Sequence, residues 1–174
     1  MFLGTFQLKV DEKGRLSIPH RFREILHEKY SPGPEEGDPQ LILSPFGQCI
    51  IAYPRAEWQW LAQAVSATTA LPSMHREVRD LQRVLFGSAA ECTVDTQGRV
   101  LIPPLLRTKA RLDGEVMVVG VNSYFEIWNR GHWEEYAQSL EGRDEEIGQK
   151  FAELSDARAI RREHTFGDGF PPRL

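Results

Sequence analysis

The sequence VDEKGRLSIP at residues 10–19 recurs as VDTQGRVLIP at residues 94–103. The two copies share the pattern D-x-x-G-R-[LV]-x-I-P at a separation of 84 positions. A second match, of residues 41–43 with 116–118, has a separation of 75, so the first copy carries nine more residues in its middle loop. A repeat of this kind indicates that one supersecondary unit is used twice and that neither unit buries its apolar face alone.

Each copy predicts a turn between two short strands, followed by a helix. Aspartate favours the first position of a turn because its side chain accepts hydrogen bonds from the backbone ahead, and glycine adopts the positive φ that a tight turn needs. Alternating polar and apolar residues before and after the turn predict a hairpin, and the prolines that follow predict the first turn of a helix. The predicted turn-forming residues are Asp11, Gly14, Asp95 and Gly98.

The repeat divides the chain into five predicted segments. These are a first repeat at residues 5–55, a helical connector at 56–87, a second repeat at 88–130, a C-terminal helix at 131–162 and a disordered tail at 163–174. Strands outnumber helices in both repeats, so the predicted fold class is mainly β with α. Each repeat is too small for an independent core, and we therefore expect the two to share one.

Positive charge is concentrated in the repeated motifs, although the whole chain has a net charge of −4. Residues 9–23 contain five basic and two acidic residues, and residues 94–111 contain four basic and one acidic, so each segment carries +3. A binding partner interacts with the local electrostatic field more than with the total charge. This distribution is therefore compatible with nucleic-acid binding. The two cysteines form no C-x-x-C motif and predict buried free thiols in a reducing compartment. No signal-peptide pattern and no apolar stretch of about 18 residues occurs, so we expect a cytoplasmic protein.

The arginine after each turn glycine has two possible roles. Arg15 and Arg99 project near a turn, where the planar guanidinium can bind phosphate or a guanine edge. Each can instead pair with its own turn carboxylate and make the turn rigid. The residues alone leave both roles open, and the two roles can coexist. The candidate DNA-binding residues are Lys13, Arg15, Gln97 and Arg99.

Other candidate sites are weaker. Arg76, Arg79 and Arg83 share one helix face, which favours a solvated face paired with nearby carboxylates. The four tryptophans near the hairpin–helix junctions favour core or subunit contacts. The five histidines have no metal-ligand spacing, and no nucleophile, P-loop or zinc-protease motif occurs, so we expect no metal, no cofactor, no small-molecule substrate and no enzymatic activity. A protein-interaction scaffold of the same fold is the alternative to DNA binding.

With these motifs the sequence resembles the MraZ family of bacterial transcriptional regulators. The resemblance covers roughly residues 2–140. It is carried by DEKGRLSIP at 11–19, DTQGRVLIPP at 95–104, GQCI at 47–50 with YP at 53–54, and FEIW at 125–128. One departure is Gln97, which stands where the first turn has Lys13.

The resemblance implies a pseudo-symmetric SpoVT/AbrB-type fold, in which two β-hairpin–helix–β-hairpin units interleave into one swapped-hairpin β-barrel. It also implies a ring-like homo-oligomer that is associated with the nucleoid. Such proteins are expected to bind short direct repeats in double-stranded DNA upstream of their own operon, which governs cell division and cell-wall synthesis.

Overall fold

The computed structural model describes residues 1–30, 38–68 and 76–165, and within these ranges the chain is an α+β protein of eight strands and six helices. The strands are β1 (Thr5–Lys9), β2 (Arg15–Ser17), β3 (Gln40–Phe46), β4 (Cys49–Pro54), β5 (Ala90–Thr93), β6 (Arg99–Leu101), β7 (Glu115–Val121) and β8 (Tyr124–Asn129). The helices are α1 (His20–Tyr30), α2 (Arg55–Thr68), α3 (Arg76–Phe86), α4 (Pro104–Lys109), α5 (Arg130–Leu140) and α6 (Asp144–Thr165).

The strands of the two repeats interleave. One antiparallel sheet has the order β1-β7-β8-β4-β3-β5, and β2 and β6 form a separate two-stranded ribbon. Strand β1 of the first repeat pairs with β7 of the second, and β5 of the second pairs with β3 of the first. When each strand is replaced by its counterpart in the other repeat, the result is the same strand order read from the opposite edge of the sheet. The two repeats are therefore related by a pseudo-twofold axis.

The register places this axis between equivalent residues. Leu16 lies opposite Val100, its own counterpart in the second repeat, at the centre of the β2–β6 ribbon. Ile51 lies opposite Glu126, again its counterpart, where β4 meets β8. The internal repeat of the sequence is thus realised as a symmetry of the backbone pairing.

The predicted local hairpin is wrong beyond its turn. Strands β1 and β2 flank the turn at residues 11–14, but only one bridge, between Val10 and Leu16, joins the two arms. The backbone N–H of Val10 donates instead to the carbonyl of Gly114 at 2.9 Å. Each arm pairs with a strand of the other repeat instead, β1 with β7 and β2 with β6. Among the described strands, β1 and β5 are the edges of an open sheet, so strand pairing does not confirm a closed barrel.

The main core lies on the face of the sheet that meets the ribbon, α1 and α4. Phe2, Phe22 and Phe125 are fully buried there, with ring centroids 5.1 to 5.4 Å apart. Leu16 and Val100 contribute the inward side of the ribbon. Both repeats supply this core, as the sequence predicts for two units that are each too small to fold alone.

A second apolar cluster covers the opposite face of the sheet. Neighbouring strand residues point to opposite faces, so Cys49 and Ile51 join this cluster whereas Ile50 belongs to the main core. The tryptophans Trp58, Trp128 and Trp133 lie in the second cluster, while Trp60 is 69% exposed. Cys49 is buried and Cys92 is half-buried, and both are free thiols whose burial raises their pKa, to about 12 and about 11 respectively.

The chain divides into two compact units, Met1–Trp133 and Glu134–Leu174. The sequence predicts one closing helix over 131–162, but the structure has two, α5 and α6. Gly142 lies between them with a φ of +74°, a conformation that ends a right-handed helix. Of the tail predicted to be disordered, residues 163–165 belong to α6, and residues 166–174 lie outside the described residues. No helix in the described part of the chain is long and apolar enough to cross a membrane.

The interleaved pairing makes the first repeat dependent on the second. A fragment of residues 1–86 lacks β7 and β6, the partners of β1 and β2. We expect its thermal unfolding, followed by circular dichroism, to show no cooperative transition. The matched control is residues 1–133, the whole first compact unit, which should unfold cooperatively. A cooperative transition in the monomeric 1–86 fragment would contradict the shared core.

Candidate nucleic-acid interface

The first turn is held by the side chain of its leading aspartate. Oδ1 of Asp11 accepts hydrogen bonds from the backbone N–H groups of Lys13, at 2.9 Å, and Arg15, at 2.8 Å. The N–H of Gly14 donates to the Asp11 carbonyl at 2.8 Å, and Gly14 has a φ of +82°. A non-glycine residue would be strained in this left-handed conformation. Aspartate and glycine therefore each have a defined structural task in the turn.

The second turn repeats this geometry. Oδ1 of Asp95 accepts from the backbone N–H groups of Gln97, at 3.0 Å, and Arg99, at 2.9 Å. The N–H of Gly98 donates to the Asp95 carbonyl at 2.7 Å, with a φ of +74°. All four predicted turn residues thus occupy the same positions in two matching turns.

Each motif arginine pairs with the aspartate of its own turn. In the first turn, Nε and Nη2 of Arg15 both lie 2.7 Å from Oδ2 of Asp11. In the second, Nε and Nη2 of Arg99 lie 2.9 and 2.7 Å from Oδ2 of Asp95. The side chains remain 32% and 27% exposed. The carboxylate therefore orients one edge of each guanidinium and leaves part of the side chain at the surface.

These hydrogen bonds favour the ionised carboxylates. The backbone N–H of Arg15, followed by its guanidinium, lowers the pKa of Asp11 below its ordinary value. For Asp95 the order is reversed, since the Arg99 guanidinium lowers the pKa most and the Arg99 N–H comes second. Hydrogen bonds to the charged form always act in this direction.

Both arginines lie on the outer face of the ribbon. Leu16 and Val100, at the centre of β2 and β6, are fully buried, so the residues on either side of them face outward. The register places Arg15 directly opposite Leu101 and Ser17 directly opposite Arg99. The mid-turn residues Lys13 and Gln97 are exposed at the ends of this ribbon. The four candidate DNA-binding residues are thus carried by one two-stranded element and its turns.

Each turn is supported by the other repeat. The N–H of Ile18 donates to the Gly98 carbonyl, and the N–H of Ile102 donates to the Gly14 carbonyl, both at 2.9 Å. A Cβ on Gly14 would lie 2.7 Å from the guanidinium carbon of Arg107 in α4. A Cβ on Gly98 would collide with the side chain of Arg23 in α1. Glycine is needed at both positions for its positive φ, and a Cβ there would also force the neighbouring arginine side chain to move.

Sequence reasoning did not single out Arg23 and Arg107 as site residues. The structure places each directly beneath the turn of the other repeat, and Nη1 of Arg23 donates to the Gln97 carbonyl at 3.4 Å. Nε of Arg107 donates to the Ile102 carbonyl at 3.2 Å. The available signal was their equivalence at the separation of 84, since arginine stands at this position in both copies.

The surroundings of the two turns differ in charge. The cleft beside Gly98 in the second turn is lined by one arginine and two glutamates of α1, namely Arg23, Glu24 and Glu28. Arg107, which lies against the first turn, shares a cleft with Arg111 and with one acidic residue, Asp113. The first turn therefore has more basic surroundings than the second. The turns themselves differ in the same direction, since the first contains Lys13 where the second contains the neutral Gln97.

The arginines of α3 do not lie on the ribbon or its turns, and two of them pair with a carboxylate of their own helix. Nε of Arg76 lies 3.5 Å from an Asp80 carboxylate oxygen, and Nη1 of Arg83 lies 2.8 Å from the other. All three arginines of this helix, including Arg79, are exposed. This is the solvated, carboxylate-paired face that the spacing favours. Among the described residues, no group of three or more histidine, cysteine or acidic side chains could hold a metal ion.

Comparison with known proteins agrees with the internal repeat. The family model described as "MraZ protein, putative antitoxin-like" matches the chain twice, over residues 1–84 and 85–156. The chain is 40% identical to the transcriptional regulator MraZ of Roseiflexus sp. (strain RS-1) over 88% of its own length and 99% of the relative's. It is 38% identical to the protein of the same name from Moorella thermoacetica, with the same coverage. The corresponding protein of Thioalkalivibrio sulfidiphilus is 41% identical over 76% of this chain and 83% of its own length.

The ionised aspartates should make the turns sensitive to acid. Because the folded-state pKa of Asp11 is depressed, its stabilising effect is complete above the ordinary aspartate pKa of 3.8 and is lost as the pH falls through the lower folded value. We expect Asp11→Asn to lower the free energy of unfolding at pH 7, and its difference from the parent to shrink below about pH 4. Urea unfolding between pH 7 and pH 3 measures both curves.

The control for this experiment is Glu12→Gln, which removes a charge from the same turn at an exposed position. It should change the free energy of unfolding at pH 7 much less than Asp11→Asn does. If the Asp11→Asn and parent curves ran parallel down to pH 3, the carboxylate would not be the group that stabilises the turn.

Proposed function

Because the chain belongs to the MraZ family, we propose that it is a sequence-specific, DNA-binding transcriptional regulator. The observation that supports this most directly is the outer face of the β2–β6 ribbon, where Arg15 and Arg99 stand on one surface. The relatives named transcriptional regulator MraZ match this chain over nearly their whole length. The residues proposed to contact DNA are Lys13, Arg15, Gln97 and Arg99.

The physical basis of the proposal is a ribbon of suitable size with arginines oriented in advance. The major groove of B-DNA, about 12 Å wide, admits a two-stranded β-ribbon, and arginine is the most frequent reader of the guanine edge there. Asp11 and Asp95 each hold one edge of their arginine at 2.7 to 2.9 Å. Orientation before binding reduces the side-chain entropy that is lost when the complex forms. Lys13 and Gln97, which are exposed, are proposed to contact phosphates.

The proposed target is a set of short direct repeats upstream of the protein's own cell-division and cell-wall operon. One ribbon with two turns contacts few base pairs, and each base contact contributes about 1–3 kcal/mol of discrimination. Several linked subunits overcome this limit, because after the first contact the others become intramolecular. Autoregulation at the nucleoid would then depend on a homo-oligomer that presents equivalent ribbons to successive repeats.

The proposed assembly is a ring of several subunits. Trp60 in α2 is 69% exposed, and the second apolar cluster beneath α2 and α3 is only partly covered. Contacts between unlike patches of identical subunits close into rings when the rotation between subunits permits. We further propose that the interleaved strands form the swapped-hairpin SpoVT/AbrB-type arrangement, with one chain supplying both units, and that the protein catalyses no reaction.

The alternative is an oligomeric scaffold that binds an acidic protein through the same basic surface. Footprinting on the DNA upstream of the gene, followed by a salt titration on the protected duplex, separates the two. A DNA reader keeps its preference for the protected sequence as salt rises, whereas a scaffold shows weak binding that is blind to sequence.

We expect Arg15→Ala to abolish specific binding to the protected duplex, because it removes a base contact from every subunit of the oligomer. Arg15→Lys should retain nonspecific binding but lose specificity, since lysine lacks the planar fork. Arg99→Ala should have the same effect as Arg15→Ala or a somewhat smaller one, given the less basic surroundings of its turn. Fluorescence anisotropy with labelled duplex measures these affinities.

The control for these variants is Arg83→Ala, which removes an exposed arginine that is paired with Asp80 on α3. It should bind as the parent does. Melting temperatures establish that each variant is folded. If folded Arg15→Ala bound the protected duplex as tightly as the parent, the turns would be structural only and the reading surface would lie elsewhere.

We expect the purified protein to have a mass several times the 19.9 kDa of one chain. Light scattering coupled to gel filtration at micromolar concentration gives this mass directly. A Trp60→Ser variant, which removes exposed aromatic surface without opening the main core, should shift the mass towards smaller species. A parent protein of monomer mass would exclude the ring.

A further inference from the structure

One leucine is exposed on a surface that otherwise carries arginine and serine. Leu101 is the last residue of β6 and is 54% exposed, whereas its neighbour Val100 is fully buried. The register places it directly opposite Arg15 on the outer face of the ribbon. An exposed leucine is ordinary by itself. Its position opposite an oriented arginine, on the proposed reading surface, is what requires an explanation.

The fold does not require leucine at this position. The equivalent residue in the first repeat is Ser17, which ends β2, is exposed in the same way and lies opposite Arg99. The pseudo-twofold axis thus relates an Arg15–Leu101 half of the ribbon to an Arg99–Ser17 half. Because the backbone is the same in both halves, the leucine contributes an apolar surface that the other half lacks.

The geometry points to Leu101 as a contact for the C5-methyl group of a thymine, in the base pair beside the guanine that Arg15 reads. This inference rests on the proposed function. Side chains directly opposite on two strands are about 5 Å apart at their Cβ atoms, and successive bases are about 3.4 Å apart along a strand. The two side chains therefore reach the same or adjacent base pairs. The thymine methyl is an apolar group displayed in the major groove, and it suits an aliphatic side chain.

The inequality of the two halves gives the protein a direction on DNA. A ribbon with identical halves would read an inverted repeat, since the symmetry of the protein would be mirrored in the site. With Leu101 on one half and Ser17 on the other, the two half-contacts differ and the preferred site has a polarity. Sites with polarity can be arranged head to tail, which is the arrangement of direct repeats.

The experiment replaces thymines of the protected duplex one at a time with deoxyuridine, which lacks only the C5-methyl group. Binding to the full-length protein is measured by fluorescence anisotropy at fixed salt. We expect one thymine in each repeat to be sensitive, with about a fourfold loss of affinity, the value of one buried methyl group. Leu101→Ser should weaken binding to the natural duplex by a similar factor and should bind the thymine and deoxyuridine duplexes equally.

The matched control is Ser17→Leu, which adds leucine to the other half and should leave the original thymine sensitive. Continued sensitivity in Leu101→Ser, or no sensitive thymine for the parent, would overturn the inference while leaving the proposed function intact. A change in oligomer mass for Leu101→Ser would also overturn it, because Leu101 would then contact a second copy of the chain. Equal affinity of the parent for the protected duplex and a scrambled one would instead refute the proposed function.

Discussion

Two reciprocal hydrogen bonds govern the arrangement of the proposed site. Ile18 donates to Gly98 and Ile102 donates to Gly14, so each repeat holds the turn of the other at the glycine. These contacts exist only because β2 and β6 pair across the pseudo-twofold axis, with Leu16 opposite Val100. Without this pairing, the two arginine-bearing turns would belong to separate hairpins. With it, they are parts of one surface supported by one core.

The aspartate–arginine pair stabilises the turn and also orients the guanidinium that is proposed to bind DNA. Asp11 uses one carboxylate oxygen to hold the backbone of its turn and the other to hold Arg15. A guanidinium has five N–H donors, so pairing along one edge leaves donors for a second acceptor. The ion pair lies at the surface, where its direct contribution to stability is small. The pair also restricts the orientation of the guanidinium, which lies within hydrogen-bond distance of the carboxylate.

Symmetry of the backbone coexists with asymmetry of the side chains. Strand order and register repeat across the axis, yet Gln97 stands at the position equivalent to Lys13, and Leu101 at the position equivalent to Ser17. Charged neighbours differ as well, since Glu24 borders the second turn. The shared core constrains only the inward residues, so the outward residues of the two repeats are free to differ. A single chain with two repeats can therefore present an uneven surface that two identical chains could not.

The turns and the helix starts of this protein could be predicted from the sequence, because they depend on residues that are close together in the chain. The aspartate and glycine of each motif predict the turns, and the prolines after the ribbon strands predict the starts of α1 and α4. The strand partners could not be predicted from the sequence, since an alternating pattern fits a local hairpin and a pairing with the other repeat equally well.

The positions of Arg23 and Arg107 depend on which strands pair, because each arginine lies beneath a turn that is more than 70 residues away in the chain. Likewise, the sequence left the pairing of Arg15 and Arg99 open, and only the folded turn shows the carboxylate within hydrogen-bond distance of the guanidinium. Tertiary structure decided these points because hydrogen bonds and packing act on distance in space, whatever the separation along the chain.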